Sequence, residues 1–495
     1  MGQQVDGYDV VVVGGGVAGL SAACAAAEAG ARVALLERAV ESESGGNTRY
    51  TEAFLRMKSV EQTADGLEDS LVEDFMGHPD PGVVQDAALL SESRQPSLSK
   101  AHHVIDLDYV AEFSTSAPAT LAWMTGHGVK FEFLPTPFLT TSTSRMAPVG
   151  GGLAIVEVMG EAARGLGVEF LFETTARSLL VEDGEVRGVS AKTAGGWRVF
   201  RGRVVLASGG YQGNAEMMAR YHGDKALTTR PVARGGNYNK GEGIEMALAA
   251  GAATAGNFSL FHAEPVDPRS GEPEAAIFCF PHGILVNEEG ERFVDEARGP
   301  IDAWYERTTR DIHAQTGGIA WVLLDQQSLA VPNIMSGVRT GVAPVSADSV
   351  AALAEKLGLP VDRLQATVAA YNDACQDGPF DHTVPDGLAT RGLEPAKSNW
   401  ARPLVKGPFV AYPIMAAAVF TFGGLKTTAA AEVVDRDGRP IVGLYAAGEV
   451  TGLYYSNYTG STSVLRGATF GKIAGGRAAA LSALSPEEDG SEGRP

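Results

Sequence analysis

The chain has 495 residues, enough for about two to four domains, and its 44% hydrophobic and 20% charged content is that of a globular protein. Sixty acidic against 40 basic residues give a formal charge of −20, which argues against a nucleic-acid binder and against docking on anionic membrane. Three cysteines in no metal-ligand spacing, no basic-then-apolar leader and no long apolar run predict no disulfide framework, no metal centre, no signal peptide, no membrane insertion and a cytoplasmic location.

Tyr8–Val13 is a β-branched run, as expected of a strand covered on both faces of a parallel sheet. Gly14-Gly15-Gly16-Val17-Ala18-Gly19 follows at once, then small-residue helix over Leu20–Gly30 and a second strand, Arg32–Leu36, ending at Glu37 and Arg38. This order of strand, G-x-G-x-x-G, helix, strand and acid is a dinucleotide site. Gly14 permits the turn, Gly16 lets backbone approach a pyrophosphate, and Gly19 lets helix and strand pack closely. The helix N-terminus faces the phosphates and Glu37 reaches a ribose hydroxyl.

Further along, Leu171–Val181 and Val186–Ala191 read as strands of a smaller sheet, with Asp183-Gly184 at the turn. Val204–Gly210 is another buried strand ending in the small residues Ala207, Ser208 and Gly209. Val350–Leu357 and Val361–Cys375 read as amphipathic helices. Ile441–Glu449 is a short strand ending in Gly448-Glu449, with Ser463 and Val464 ahead of the helix-like Phe470–Leu481. A nucleotide motif at the start and a strand-Gly-Glu near the end, with no second G-x-G-x-x-G, indicate one FAD and no stable NAD site. This order resembles the glutathione-reductase-type flavoproteins, and together with the family resemblance below it implies an α/β fold class, a Rossmann-like FAD-binding domain with an inserted α+β capping domain.

Gly45-Gly46-Asn47-Thr48-Arg49-Tyr50, Pro148–Leu153, Val204–Asn214, Gly235–Gly251, Gly283–Asp295, Thr421–Leu425 and Gly448–Gly471 together resemble the fumarate reductase/succinate dehydrogenase-like flavoproteins over nearly the whole chain. Within that family, Asn47-Thr48-Arg49 with Gly452–Gly460 is most similar to the tricarballylate dehydrogenase branch, and the tyrosine-bearing loop also resembles 3-ketosteroid Δ1-dehydrogenases. The resemblance implies an FAD domain of 1–257 and 405–484 and a capping and substrate domain of 258–404; the polar, Gly/Pro-bearing composition of 485–495 predicts a disordered tail. It implies flavin contacts at Gly46, Asn47 and Thr48. No His lies between Glu37 and Tyr50, so a covalent histidyl flavin is unsupported and non-covalent FAD is expected. Three departures argue against a fumarate reductase. Phe420 stands where that group has a substrate-clamping His and Tyr458 where it has a late Arg. Gln326 and Gln327 follow Asp325 where it has its proton-donating Arg.

The implied reaction is FAD-dependent oxidation of a C–C single bond beside a carboxylate, by proton abstraction and hydride transfer to flavin N5, on a tricarballylate-like substrate. Two alternatives stay open: a ketosteroid Δ1-dehydrogenase-like or secondary-metabolite desaturase, and a non-redox FAD protein. Carboxylate chemistry needs cations to hold the substrate and a base to take the proton. The candidate catalytic residues are Tyr458, His262, at the family's carboxylate-binding position, and Arg145, after a Thr/Ser-rich loop. Candidate substrate contacts are Arg49, Arg234 and Tyr455. Glu296 and Arg298 read as a structural ion pair. With no iron–sulfur ligand motif, a separate electron acceptor is expected, either an iron–sulfur or quinone protein or dioxygen.

Overall fold

The computed structural model describes residues 4–76, 106–134, 139 and 143–483; the expected tail, 485–495, lies outside them. The first strand, Gln4–Val13, is central to an eight-stranded sheet. It pairs in parallel with Val33–Leu36 on one side and with Gly196–Leu206 on the other, Val13 lying opposite both Leu36 and Leu206. Glu169–Leu171 and Pro440–Ala446 extend the parallel part at either side. Val10, Val11 and Val12 are fully buried: Val10 and Val12 share a core with Ala22 and Ala474 of two helices, and Val11 shares one with the strand residues Ala176, Val186 and Val189 and with Ile244. Thr175–Glu182 and Glu185–Thr193 form the expected hairpin, with Asp183 and Gly184 both at positive φ. The hairpin is not a separate sheet: Glu185–Thr193 pairs antiparallel with Gly196–Arg201 and so continues the main one.

The second sheet has six strands organised on one long strand, Phe409–Thr421. That strand pairs with Ile319–Leu324, Phe261–Val266, Val345–Ala347 and the two-residue Arg230–Pro231. The sheet therefore draws strands from outside residues 258–404 on both sides. Helices Val350–Leu357 and Val361–Ala374 fall where periodicity places them, their Leu353, Leu364, Val368 and Tyr371 sharing one core with Ile284 and Leu323. Among the described residues no helix is long and apolar enough to cross a membrane.

One correction concerns an ion pair. Glu296 does not pair with Arg298: it takes Arg292 in a buried bidentate contact at 2.6 and 2.9 Å and accepts from the Leu285 N–H, while Arg298 turns to Asp311 at 3.4 Å. The four-residue spacing puts the two groups within reach, whereas Arg298 lies two residues on and faces away. Fully buried Lys397 sits in the same polar core, donating to the Gly283 carbonyl; burial lowers its ammonium to about 8.

His282 is buried against Trp400, with Nδ1 unpartnered. Burial first, then the charges of Lys397 and Arg402, lower it to about 3; burial lowers His222 to about 4. The unfolded chain takes up these protons near pH 6.5, and the native rings refuse them. Stability contributed by the neutral rings is thus complete above about pH 6.5 and is lost as the pH falls toward those values. Urea titrations at pH 7, 6 and 5 should show a falling midpoint, and His282→Gln should flatten the decline.

Candidate active site

The turn after the first strand is built without side chains. Gly14 holds φ +107° and packs on the Ala207 carbonyl, and Gly19 packs on the Gly14 carbonyl. Helix Val17–Glu28 begins there, so its unsatisfied N–H groups open onto a cavity of about 1330 Å³. Glu37, at the end of the second strand, is buried at the cavity wall. Its carboxylate accepts from the Gly15 and Ala39 N–H groups, both at 2.8 Å. Burial nonetheless raises its pKa. Arg38 is turned aside by Glu242 at 2.8 Å.

The cavity is lined by Gly14, Gly16, Ala18, Glu37, Arg38, Gly46, Asn47, Thr48, Ala207, Ser208, Gly209, Gly448, Glu449, Ser463 and Val464. Gly19 lies behind the wall, where it sets the approach of helix to turn. Glu449 accepts from the Thr421 N–H at 3.0 Å and from Asn239 Nδ2 at 2.9 Å, and burial raises it to about 7. Thr174, Asn239 and Arg466 also line the cavity and carried no sequence signal. Arg466 is buried at the start of helix Ser463–Ala483, donating to Thr451 and to the Gly448 carbonyl. Asn47 Oδ1 and Arg466 Nε keep no protein partner. A turn without side chains at a helix N-terminus, a carboxylate at the end of the second strand and spare polar groups farther along fit FAD.

A second cavity of about 660 Å³ shares Thr51, Glu274, Val419, Ser463 and Val464 with the first. Arg145, His262 and Tyr458, distant in sequence, all line it. His262 sits at a register irregularity where Phe261–Val266 pairs with the long strand, opposite Phe420. Its ring centroid is 4.4 Å from that of Tyr458 and 5.1 Å from that of Phe420, so the two positions that depart from fumarate reductases meet around it. The Tyr458 hydroxyl accepts from the N–H groups of Thr462 and Ser463 and lies 3.1 Å from Ser463 Oγ. Arg145 is 2% exposed, and each guanidinium nitrogen already donates: Nε to Ser461, one terminal nitrogen to backbone carbonyls, the other to Asp302 at 3.1 Å. Burial and Arg56 lower it to about 10, so it stays charged at neutral pH.

Tyr305, Glu306 and Arg339 were missed. Tyr305 and Glu306 lie on helix Ile301–His313, whose sequence reads as a charged amphipathic helix; only the tertiary fold turns them toward His262. The three substrate candidates are not brought together here. Arg49 follows Asn47 and Thr48 in a short 3₁₀ turn, and one further residue swings its side chain into a separate cavity lined by Glu41 and Arg164. Arg234 is exposed at the start of its turn. Tyr455 is half-buried, its carbonyl taken by Asn257.

A dinucleotide-type turn sharing a wall with a second, polar cavity fits a flavin-dependent oxidoreductase. The chain belongs to the FAD binding domain family, matched over residues 9–465. Vinyl phenol reductase of Lactiplantibacillus plantarum is 29% identical over 487 residues, covering 92% of each chain. The open conformation of a flavocytochrome c3 fumarate reductase superposes with a TM-score of 0.73 at 25% identity, over 96% of this chain and 79% of that one. The 3-ketosteroid-Δ4-(5α)-dehydrogenase of Rhodococcus jostii RHA1, bound to 4-androstene-3,17-dione, gives 0.68 at 25% identity, over 96% and 97%. This chain is an FAD-dependent oxidoreductase acting on carbon–carbon bonds.

Proposed function

We propose that the enzyme transfers two hydrogens across a carbon–carbon bond beside a single carbonyl or carboxylate, and that a neutral enone of the ketosteroid kind suits it better than a tricarballylate-like substrate. The charge inventory of the second cavity carries this reading. Its two arginines each have a carboxylate of their own, Arg145 with Asp302 at 3.1 Å and Arg339 with Glu52 at 2.8 Å. Glu264 and Glu274 add two further acids, which burial holds above the usual carboxylate range. Three substrate carboxylates would meet no arginine without a carboxylate partner among the described lining residues. A neutral substrate meets the rings of Tyr305, Tyr458 and His262, with Phe54 and Phe278 as apolar wall.

Two of the similarities support a substrate without carboxylates, although fumarate and urocanate reductases also stand among the relatives. The vinyl phenol in one relative's name carries no carboxylate, and the steroid bound to the structural neighbour is a neutral enone. When bound, FAD supplies the two-electron acceptor for hydride. A separate electron carrier completes the cycle.

The test is anaerobic mixing of the yellow protein with 4-androstene-3,17-dione and, separately, with tricarballylate. Bleaching of the flavin by the steroid alone is expected. Bleaching by tricarballylate alone would restore the polycarboxylate reading. A flavin that neither compound reduces would overturn the proposal in favour of other chemistry.

A further inference from the structure

The cavity holds a hydrogen-bonded chain that neither the family match nor the relatives' names assign. The Tyr305 hydroxyl lies 3.0 Å from His262 Nε2, and His262 Nδ1 lies 3.2 Å from Glu306 Oε2. All three residues are buried, at 9%, 2% and 4% exposure. Glu306 is fixed on its far side by Arg310, which donates onward to the Ser456 carbonyl at 2.6 Å, and by the Tyr458 N–H at 3.1 Å. Tyr305 is the member of the chain that lines the cavity beside His262.

A carboxylate accepts only, so His262 Nδ1 carries the proton toward Glu306 and Nε2 is left to accept from Tyr305. This is the arrangement of a nucleophile or base whose own proton has a prepared destination. From it we infer that Tyr305 is the catalytic base of the dehydrogenation and that His262 and Glu306 position it and receive its proton. The step balances. The substrate Cα–H bond breaks and its proton joins Tyr305 Oη, while the phenol O–H breaks and that proton joins His262 Nε2. The Cα electron pair forms the C=C bond, and bound FAD would supply the two-electron acceptor for the Cβ hydride. The resulting imidazolium lies against the Glu306 carboxylate. Reduction runs the same steps backwards.

The surrounding charges fit these roles. Burial would push Glu306 up, but the His262 hydrogen bond and the Arg310 charge outweigh it and keep the carboxyl ionised. Burial, Glu264, Tyr458, Glu306 and Asp302 all hold Tyr305 well above its usual value, so it keeps its proton until His262 takes it. Arg145 lines the same cavity, and its charge interacts with Tyr305.

This inference rests on the second cavity being the substrate site, and its test separates the two. In flavin-loaded, ring-¹⁵N-histidine-labelled protein without substrate, His262 should carry one proton, on Nδ1, and Glu306→Gln should abolish that preference. A proton on Nε2 in the parent would overturn the relay, because the ring could not then accept from Tyr305. With 4-androstene-3,17-dione as probe, Tyr305→Phe should slow flavin bleaching by about 100-fold or more with little change in the concentration for half-maximal rate. The solvent deuterium isotope effect on the remaining rate should disappear. Bleaching at the parental rate in Tyr305→Phe would overturn the assignment. A parent that bleaches with no probe defeats the proposed substrate class alone, and the nitrogen measurement still decides the relay.

Discussion

Gly19→Val should yield a folded but colourless protein. A Cβ at Gly19 would lie 1.9 Å from the Gly14 carbonyl oxygen and 3.4 Å from Ala207 Cβ. Overpacking costs about 1–3 kcal/mol where neighbours can yield. Here the obstructing atom is backbone of the turn that must cradle the pyrophosphate, so relief comes only by moving the helix N-terminus away from it. A loss of about 3 kcal/mol in FAD affinity is a factor of about 100. The ratio of flavin to protein absorbance after purification, and titration of the apoprotein with FAD, check this. Gly126→Ala is the control: an added Cβ there meets nothing within 4 Å, so that variant should stay yellow.

The same residue marks what the sequence could disclose. The cofactor cradle is written in consecutive residues, because strand, turn, helix and acid must follow one another for the geometry to exist at all. Glu37 and Gly448-Glu449 are legible for the same reason, being strand ends at a sheet whose strands are apolar runs. The substrate cavity has no such local grammar. Tyr305 and Glu306 are adjacent on a helix whose polar face looks solvated, yet both are buried against a strand that lies more than forty positions earlier. Phe420, His262 and Tyr458 were each conspicuous as family positions, but nothing in their spacing says that the three rings touch. Arg49 shows the converse failure. Its neighbours do line the flavin cavity, and sequence proximity alone cannot tell which side of a 3₁₀ turn a side chain leaves from.

Arg145→Met should destabilise the native state by about 3–5 kcal/mol, the cost of leaving a buried carboxylate without its partner. Asp302, 157 positions away and 7% exposed in its side chain, has only Oδ2 satisfied, and that by Arg145. The other guanidinium donors hold Ser461 and the carbonyls of Thr143 and Ser144, so the same substitution also orphans buried acceptors. Chemical denaturation of Arg145→Met, Asp302→Leu and the double variant forms a cycle: the double variant should recover part of the loss, since an apolar pair leaves no charge unpaired. The cycle also decides what the arginine is for. A guanidinium free to clamp a substrate carboxylate would register mainly as weaker substrate binding with stability intact. One whose donors are committed to Asp302, Ser461 and the carbonyls of Thr143 and Ser144 registers as lost stability, and the cavity it lines is then left to a neutral substrate among phenols and an imidazole.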